Sequence, residues 1–309
     1  MNVFSSRLGR VTLSDVERFV SASRSCATTG RLPKYIPSFA KANPRWFAVH
    51  IDTPLSQSVS VGDVHVTFSL MSVVKPFLLL YALEYCGHDW VFRTVGTQPS
   101  DLPFNSLLQL QADQGFPRNP MLNSGAIALC SLFPGQNGSE RCERFRKWLN
   151  HQAHTHFTLD HQTLASVKSL PNEQNRAIAQ FLGDAGQLHC SVSDVIDTYE
   201  RVCCLAGTVA DLAAAGMILA QPRATVRMQH SRIATALMTT CGLYEASSRF
   251  ALDVGLPSKS GVSGAILSVL PREGAIACYS PPLDAIGNSA GSLYFLRQLS
   301  QQFNLSVFG

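Results

Sequence analysis

At 309 residues, with 46% hydrophobic and only 15% charged residues, the chain can build one large core or two interleaved lobes, and its length sets an expectation of about two domains. Its 25 Lys and Arg against 21 Asp and Glu give a formal charge of +4 spread without runs, so neither a nucleic acid nor an anionic membrane is expected as a partner. The longest apolar stretch, Val73 to Leu83, is broken by Lys75 and Pro76 and falls short of the roughly 20 residues that cross a bilayer. No transmembrane segment is expected. The opening Met1-Asn-Val-Phe-Ser-Ser-Arg-Leu8 lacks a basic segment followed by an apolar stretch, and a cytoplasmic location is expected. Nine cysteines are scattered from Cys26 to Cys278 without a C-x-x-C pair, which disfavours zinc and disulfide frameworks; Cys203-Cys204 read as small apolar packing residues.

In chain order, Leu13, Val16, Phe19 and Val20 recur at helical spacing within Thr12 to Ser25, with Ser14 or Asp15 placed to cap the start. After the break at Gly30 to Pro33, Trp46 to Ile51 and Val59 to Phe68 are rich in β-branched and aromatic residues and predict two or three paired strands. From Ser72 to about Leu237 the apolar segments have helical length: Val73 to Tyr85, Gly125 to Leu132, Arg176 to Leu182 and Val192 to Leu219. Strands return as Arg249 to Val254, Ala265 to Leu270 and Ala275 to Tyr279, and Ser289 to Phe303 closes as an amphipathic helix. Strands at both ends around a helical insert predict an α/β (α+β) fold. One sheet is assembled from residues 1–71 and 238–309, an all-helical lobe spans 72–237, and a cleft lies between them.

Two motifs carry chemistry. Ser72-Val73-Val74-Lys75 follows a strand signal and opens an apolar helix, so Lys75 lies on the same face as Ser72. A lysine among Val and Phe loses its proton more readily, and a neutral amine can serve a hydroxyl as base. The helix start also offers backbone N–H groups to a developing oxyanion. The same spacing recurs at Ser38 to Lys41 without a strand-to-helix turn, and the ordinary reading of Ser72 is a capping serine with a snorkelling lysine. The second motif, Lys259-Ser260-Gly261 before the strand at Ala265, shifts that balance. Gly261 allows close approach of an edge strand, the Val262 N–H can donate opposite that of Ser72, and Lys259 adds positive charge. S-x-x-K with a late K-[ST]-G is the signature set of the β-lactamase/transpeptidase-like fold.

Longer stretches narrow the match. They are Tyr35-Ile-Pro-Ser-Phe-Ala-Lys41, Phe68 to Lys75, Pro103-Phe-Asn-Ser-Leu107, Pro117 to Ile127, Cys241-Gly-Leu-Tyr244, Gly255 to Val262 and Ser280 to Ser289. In this ordered set, from about Gly30 to Phe303, the chain resembles the glutaminase family. The resemblance implies an amidohydrolase in which Ser72 attacks the side-chain amide of glutamine and Lys75 acts as base. It implies that Tyr244 takes part in proton transfer and that Tyr35, Asn123, Asn175, Tyr199 and the Val262 backbone line the pocket. Lys259 and Ser260 of the second motif are further expected substrate-binding residues. It implies a homodimer or homotetramer, while no metal or organic cofactor is required by Ser and Lys chemistry.

One departure stands out. Seven residues before Asn175 the family usually carries a glutamate that meets the substrate ammonium, and this chain has Lys168. A cation ~4 Å from an ammonium is repulsive by about 4 kcal/mol at an effective dielectric of about 20. Glu173 is the expected rescuer, through a loop shift at Pro171. Met71, where the family commonly has glutamine, is a second departure. Three readings follow: a true glutaminase with a substitute acid, an amidase for a related γ-amide without a free α-ammonium, or a weakly active amino-acid-binding homologue. A β-lactamase or peptidase remains a distant alternative, since fold alone does not set substrate.

Overall fold

The computed structural model describes residues 6–54, 58–169, 173–222 and 224–309. Helix α1 (Leu13–Ala27) starts where Thr12 and Asp15 exchange hydrogen bonds as a capping box, and it turns Val16 and Val20 inward. Strands β1 (Ala48–Asp52) and β2 (Val59–Gly62) pair as an antiparallel hairpin. The short strand β3 (Phe68–Ser69) leads through a tight turn of helix, Met71–Val74, into α2 (Lys75–Cys86). Pro76 sits in the first turn of α2, where its missing N–H costs no hydrogen bond. Every residue of α2 from Lys75 to Leu83 is buried, the fate of a helix that is apolar all round.

The middle of the chain supplies α3 (His88–Thr94), α4 (Leu107–Ala112), α5 (Asn123–Cys130), α6 (Gly138–Ala153), α7 (His161–Lys168), α8 (Glu173–Asp184), α9 (Val192–Cys203) and α10 (Val209–Ala220). Two short strands, β4 (Thr158–Leu159) and β5 (Leu205–Gly207), lie among them. The last third contains α11 (Met228–Cys241), α12 (Ser247–Asp253), β6 (Ser258–Ser260), β7 (Ala265–Leu270), β8 (Gly274–Tyr279) and α13 (Ala290–Phe303).

The main sheet has the order β2-β1-β8-β7-β6, with antiparallel neighbours throughout. The β1–β8 pairing, with Ala48 opposite Tyr279 and Asp52 opposite Ala275, joins the two ends of the chain. Along β7 and β8 alternate side chains serve opposite cores, as the two-residue period of a strand requires. Ile266 and Cys278 pack with Val16 of α1 and Phe295 of α13, while Leu267 and Ala277 pack with Leu212 of α10 and the helices beyond. Both strands are buried at every position, the pattern of a sheet covered on both faces. The second core runs without a break from the sheet through α10 into α2, α5 and α9, so the helical insert shares its interior with the sheet.

Two sequence expectations need correction. Arg249 to Val254 is helix α12, not a strand: its apparent alternation of Phe250, Leu252 and Val254 is misleading, because Leu252 is 79% exposed while Phe250 packs inward. An Arg249–Asp253 ion pair at 2.8 Å adds helical i,i+4 support. The stretch Val59 to Phe68 is divided between two sheets, for β3 pairs with β5, which pairs with β4 in a small second sheet. Its other strands, β4 and β5, fall within 72–237, expected to be all-helical, and are too short to establish a period.

Candidate active site

A cavity of about 1420 Å³ opens between the end of the main sheet and the helical lobe. Ser72, Met71, Asn123, Asn175, Tyr199, Val262 and Tyr35 all line it. The turn from β3 into α2 brings Ser72 to this wall. Met71 holds a left-handed backbone (φ 48°), a conformation that costs a non-glycine residue about 1 kcal/mol or more and recurs where a side chain must be aimed. Ser72 keeps only 7% of its surface exposed.

Lys75, one turn on, is fully buried, and burial draws its pKa down to about 7. Its Nζ donates to Met121 O at 3.0 Å and to Asn123 Oδ1 at 2.7 Å, rather than to Ser72. Asn123, the first residue of α5, is thereby the hub of the wall: its Oδ1 also accepts from Tyr199 Oη at 3.0 Å, and its Nδ2 donates to Asn175 Oδ1 at 2.9 Å. Asn119 shapes the loop that presents Asn123, accepting the N–H groups of Met121 and Leu122 on its side-chain oxygen.

Strand β6 approaches Ser72 from the other side. A Cβ placed on Gly261 would lie 2.7 Å from Leu70 O and 3.4 Å from the Ser72 nitrogen, so only glycine permits this packing. The approach brings Val262 onto the same cavity wall as Ser72. Among the described residues neither the Ser72 N–H nor the Val262 N–H is taken by a hydrogen bond.

Lys259 and Ser260 point away from the cavity. Lys259 Nζ donates to Gly242 O at 2.9 Å and Ser260 O at 2.7 Å and sits 4.5 Å from the centre of the Tyr244 ring, where burial pulls its pKa well down and Lys75 adds to the effect. Ser260 Oγ donates to Asn288 Oδ1 at 2.6 Å. The two residues, expected against substrate, instead hold Tyr244 from behind. Phe104 packs against its ring in a tilted arrangement, with centroids 4.6 Å apart. Tyr244 also has a left-handed backbone (φ 58°), and burial raises its hydroxyl to about 12 although Ser72 and Ser260 both act to lower it. That hydroxyl is buried and has no hydrogen-bond partner within normal reach.

Lys168 is not where its spacing predicts. Its Nζ pairs with Asp197, which also accepts from Arg201 at 2.7 Å, and Lys168 borders a neighbouring hollow rather than the main cavity. Val167 takes the cavity side of α7. Glu173 begins α8, exposed and off the cavity wall, and Pro171 lies outside the described residues. An acidic residue not singled out from the sequence, Glu200, is among the cavity-lining residues with Tyr199 and Cys203 and also borders the neighbouring hollow. Ile196, Tyr199, Glu200 and Cys203 fall at i, i+3, i+4 and i+7, a pattern that places a glutamate on the inward face of α9.

The sheet built from both chain ends, the helical lobe and the cavity between them make up the β-lactamase-like fold of an amidohydrolase. The glutaminase family profile matches residues 30–308. A glutaminase from Synechocystis sp. (strain ATCC 27184 / PCC 6803 / Kazusa) is 43% identical over 293 residues, spanning 94% of this chain and 89% of that one. Among solved structures, a probable glutaminase, ybaS, superposes with a TM-score of 0.89 at 33% identity, covering 96% of this chain and 99% of that one. The Bacillus subtilis glutaminase YbgJ, solved as a covalent complex with 5-oxo-L-norleucine formed from 6-diazo-5-oxo-L-norleucine, superposes with a TM-score of 0.87 at 28% identity over 96% and 99% of the two chains. The chain belongs to the glutaminase family. The alternatives of a different γ-amide or a weakly active amino-acid-binding homologue gain no support from these relatives, and Lys168, the first departure behind them, is paired with Asp197 and does not line the cavity.

Proposed function

We propose that the chain hydrolyses L-glutamine to L-glutamate and ammonia through an acyl-enzyme on Ser72. The observation that carries this is the wall itself: a buried lysine with a pKa of about 7 one turn beyond Ser72, and a glycine strand pressed against the Ser72 nitrogen. In this reading neutral Lys75 takes the Ser72 proton once substrate displaces its ground-state bonds, and Oγ attacks the side-chain carbonyl carbon. The N–H groups of Ser72 and Val262 receive the negative charge on the carbonyl oxygen. Tyr244, whose hydroxyl lies free beside Ser72, passes a proton to the departing nitrogen, which leaves as ammonia. Protonated Lys75 then returns the Ser72 proton to Tyr244 and is neutral again; water attacks the ester, Lys75 takes the water proton and hands it to Ser72 Oγ as the acyl bond breaks, and glutamate departs. Tyr35, Asn123, Asn175 and Tyr199 hold the amino-acid end.

The 1–71 plus 238–309 and 72–237 lobes work as one catalytic unit in this reading. Cytoplasmic action suits nine cysteines that are all free thiols, and a symmetric homodimer or homotetramer is the default assembly for a soluble enzyme. The experiment is ammonia release from glutamine by wild type and Ser72→Ala, with 6-diazo-5-oxo-L-norleucine labelling followed by peptide mass spectrometry. Wild-type turnover that falls about 10³-fold or more in the variant, with the label on Ser72, is expected. Full activity in Ser72→Ala rejects the nucleophile.

A further inference from the structure

We infer that Asn119 is the positioning residue for the base, fixing the two oxygens to which Lys75 donates. This rests on the glutaminase reading above and names the group that holds its base ready beside Ser72. Both oxygens, Met121 O and Asn123 Oδ1, belong to the segment that enters α5. Asn119 lies just before them and is fully buried. Its Oδ1 accepts the N–H groups of Met121 at 2.9 Å and Leu122 at 3.2 Å. The Leu122 N–H and the Met121 C=O are the two ends of one planar peptide, so the bond at the nitrogen sets the direction in which the oxygen points. One flat unit thus joins Asn119 Oδ1 to Lys75 Nζ. Asn119 is itself held from both sides: its Nδ2 donates to Gln98 O at 2.7 Å, and the Gly96 and Gln98 N–H groups bond to Pro117 O and Arg118 O at 2.8 Å each. A Cβ on Gly125 would lie 2.0 Å from Asn119 O, so α5 packs directly on this backbone.

The orientation bears on proton transfer because an acceptor steadies an ammonium more than it steadies a neutral amine. The titratable groups that act on Lys75 from neighbouring elements are Cys130 of α5, Cys203 of α9 and Lys259 of β6, while the Tyr199 hydroxyl shares Asn123 Oδ1 with it. Burial raises Cys130 and Tyr199 well above their ordinary values and Cys203 to about 11, so none of the three carries negative charge near neutral pH. Lys259 brings no negative charge either. The oriented oxygens of Met121 and Asn123 are therefore what opposes the loss of the ammonium to burial, and both depend on the loop that Asn119 closes.

The test follows kcat/KM for glutamine against pH in wild type, Asn119→Ala, Asn119→Asp and Leu149→Ala, the last a destabilised control in the core of α6. Asn119→Ala is expected to lower kcat by about tenfold or more and to move the acid limb to lower pH by about half a unit or more, because the ammonium loses an aimed acceptor. Asn119→Asp keeps an oxygen for both N–H groups and is expected to recover part of the rate, while its carboxylate moves the limb to higher pH. Leu149→Ala is expected to lower Tm and leave the limb in place. An acid limb that stays at the wild-type position in the Asn119 variants, or that moves equally in the control, overturns the assignment; Asn119→Asp decides alone if the alanine variant does not fold. Denaturant titration gives a readout that needs no turnover. The lysine's folded pKa is lower still in Asn119→Ala, so the added cost is complete below both folded values and gone above them, and the stability gap to wild type is expected to narrow as pH rises through about 7. Absence of ammonia release by wild type rejects the glutaminase reading, whereas a stability gap that stays parallel across that range rejects only this assignment.

Discussion

The inner wall of the cavity and its rim are built on opposite terms. Ser72 and Asn123 on the inner wall, and Lys75, Gly261 and Tyr244 behind it, are buried, with left-handed backbone at Met71 and Tyr244 held in place by the surrounding packing. At the rim Tyr35 is 56% exposed, Arg31 and Lys34 face solvent, and the segment is tied down by paired backbone bonds between Arg31 and Leu283. In the proposed reaction, the groups that make and break bonds sit where burial and packing fix their geometry, while those that meet the rest of the substrate stand at a solvent-facing rim.

The contrast can be broken or sharpened by substitution. Lys75→Met removes the base but keeps the volume, and is expected to lower kcat by about 10³-fold. In wild type, kcat/KM should fall as pH drops through about 7, because Lys75 is then protonated. The same group leaves a mark on stability. Its folded pKa lies below the unfolded value of 10.5, so unfolding takes up a proton between the two. The cost of burying Lys75 is therefore full below pH 7 and fades as pH approaches 10.5. Denaturant titrations are expected to show wild type gaining on Lys75→Met across that window. A flat acid limb, or parallel stability curves, would mean that the lysine stays charged.

Gly261→Ala tests the close approach without touching a polar group. The added methyl would press on Leu70 O at 2.7 Å and push β6 away from Ser72, and displacement on that scale is expected to cost about 10²-fold in kcat with KM little changed. A wild-type rate would show that the strand does not contribute to the oxyanion site. The rim is expected to be far more tolerant: Lys168→Ala should leave glutamine KM within about twofold, because the lysine's charge is spent on Asp197. A tenfold improvement would return Lys168 to the substrate ammonium and remove the distinction between wall and rim.

Much of this was legible in the residues. The local pattern of a strand, then Ser72 and Lys75 on an apolar helix, and a late Lys-Ser-Gly before a buried strand, carried the fold class and the centre of the site, because spacing along one helix and the permissiveness of one glycine are properties of short segments. Only the tertiary structure decided which charges meet. Lys168 turned to Asp197 on α9, and Lys259 and Ser260 went behind Tyr244 rather than into the cavity. Those outcomes depend on partners distant in the chain. A charged side chain settles according to the field and burial at its folded position, and neither quantity is written in its neighbours along the sequence.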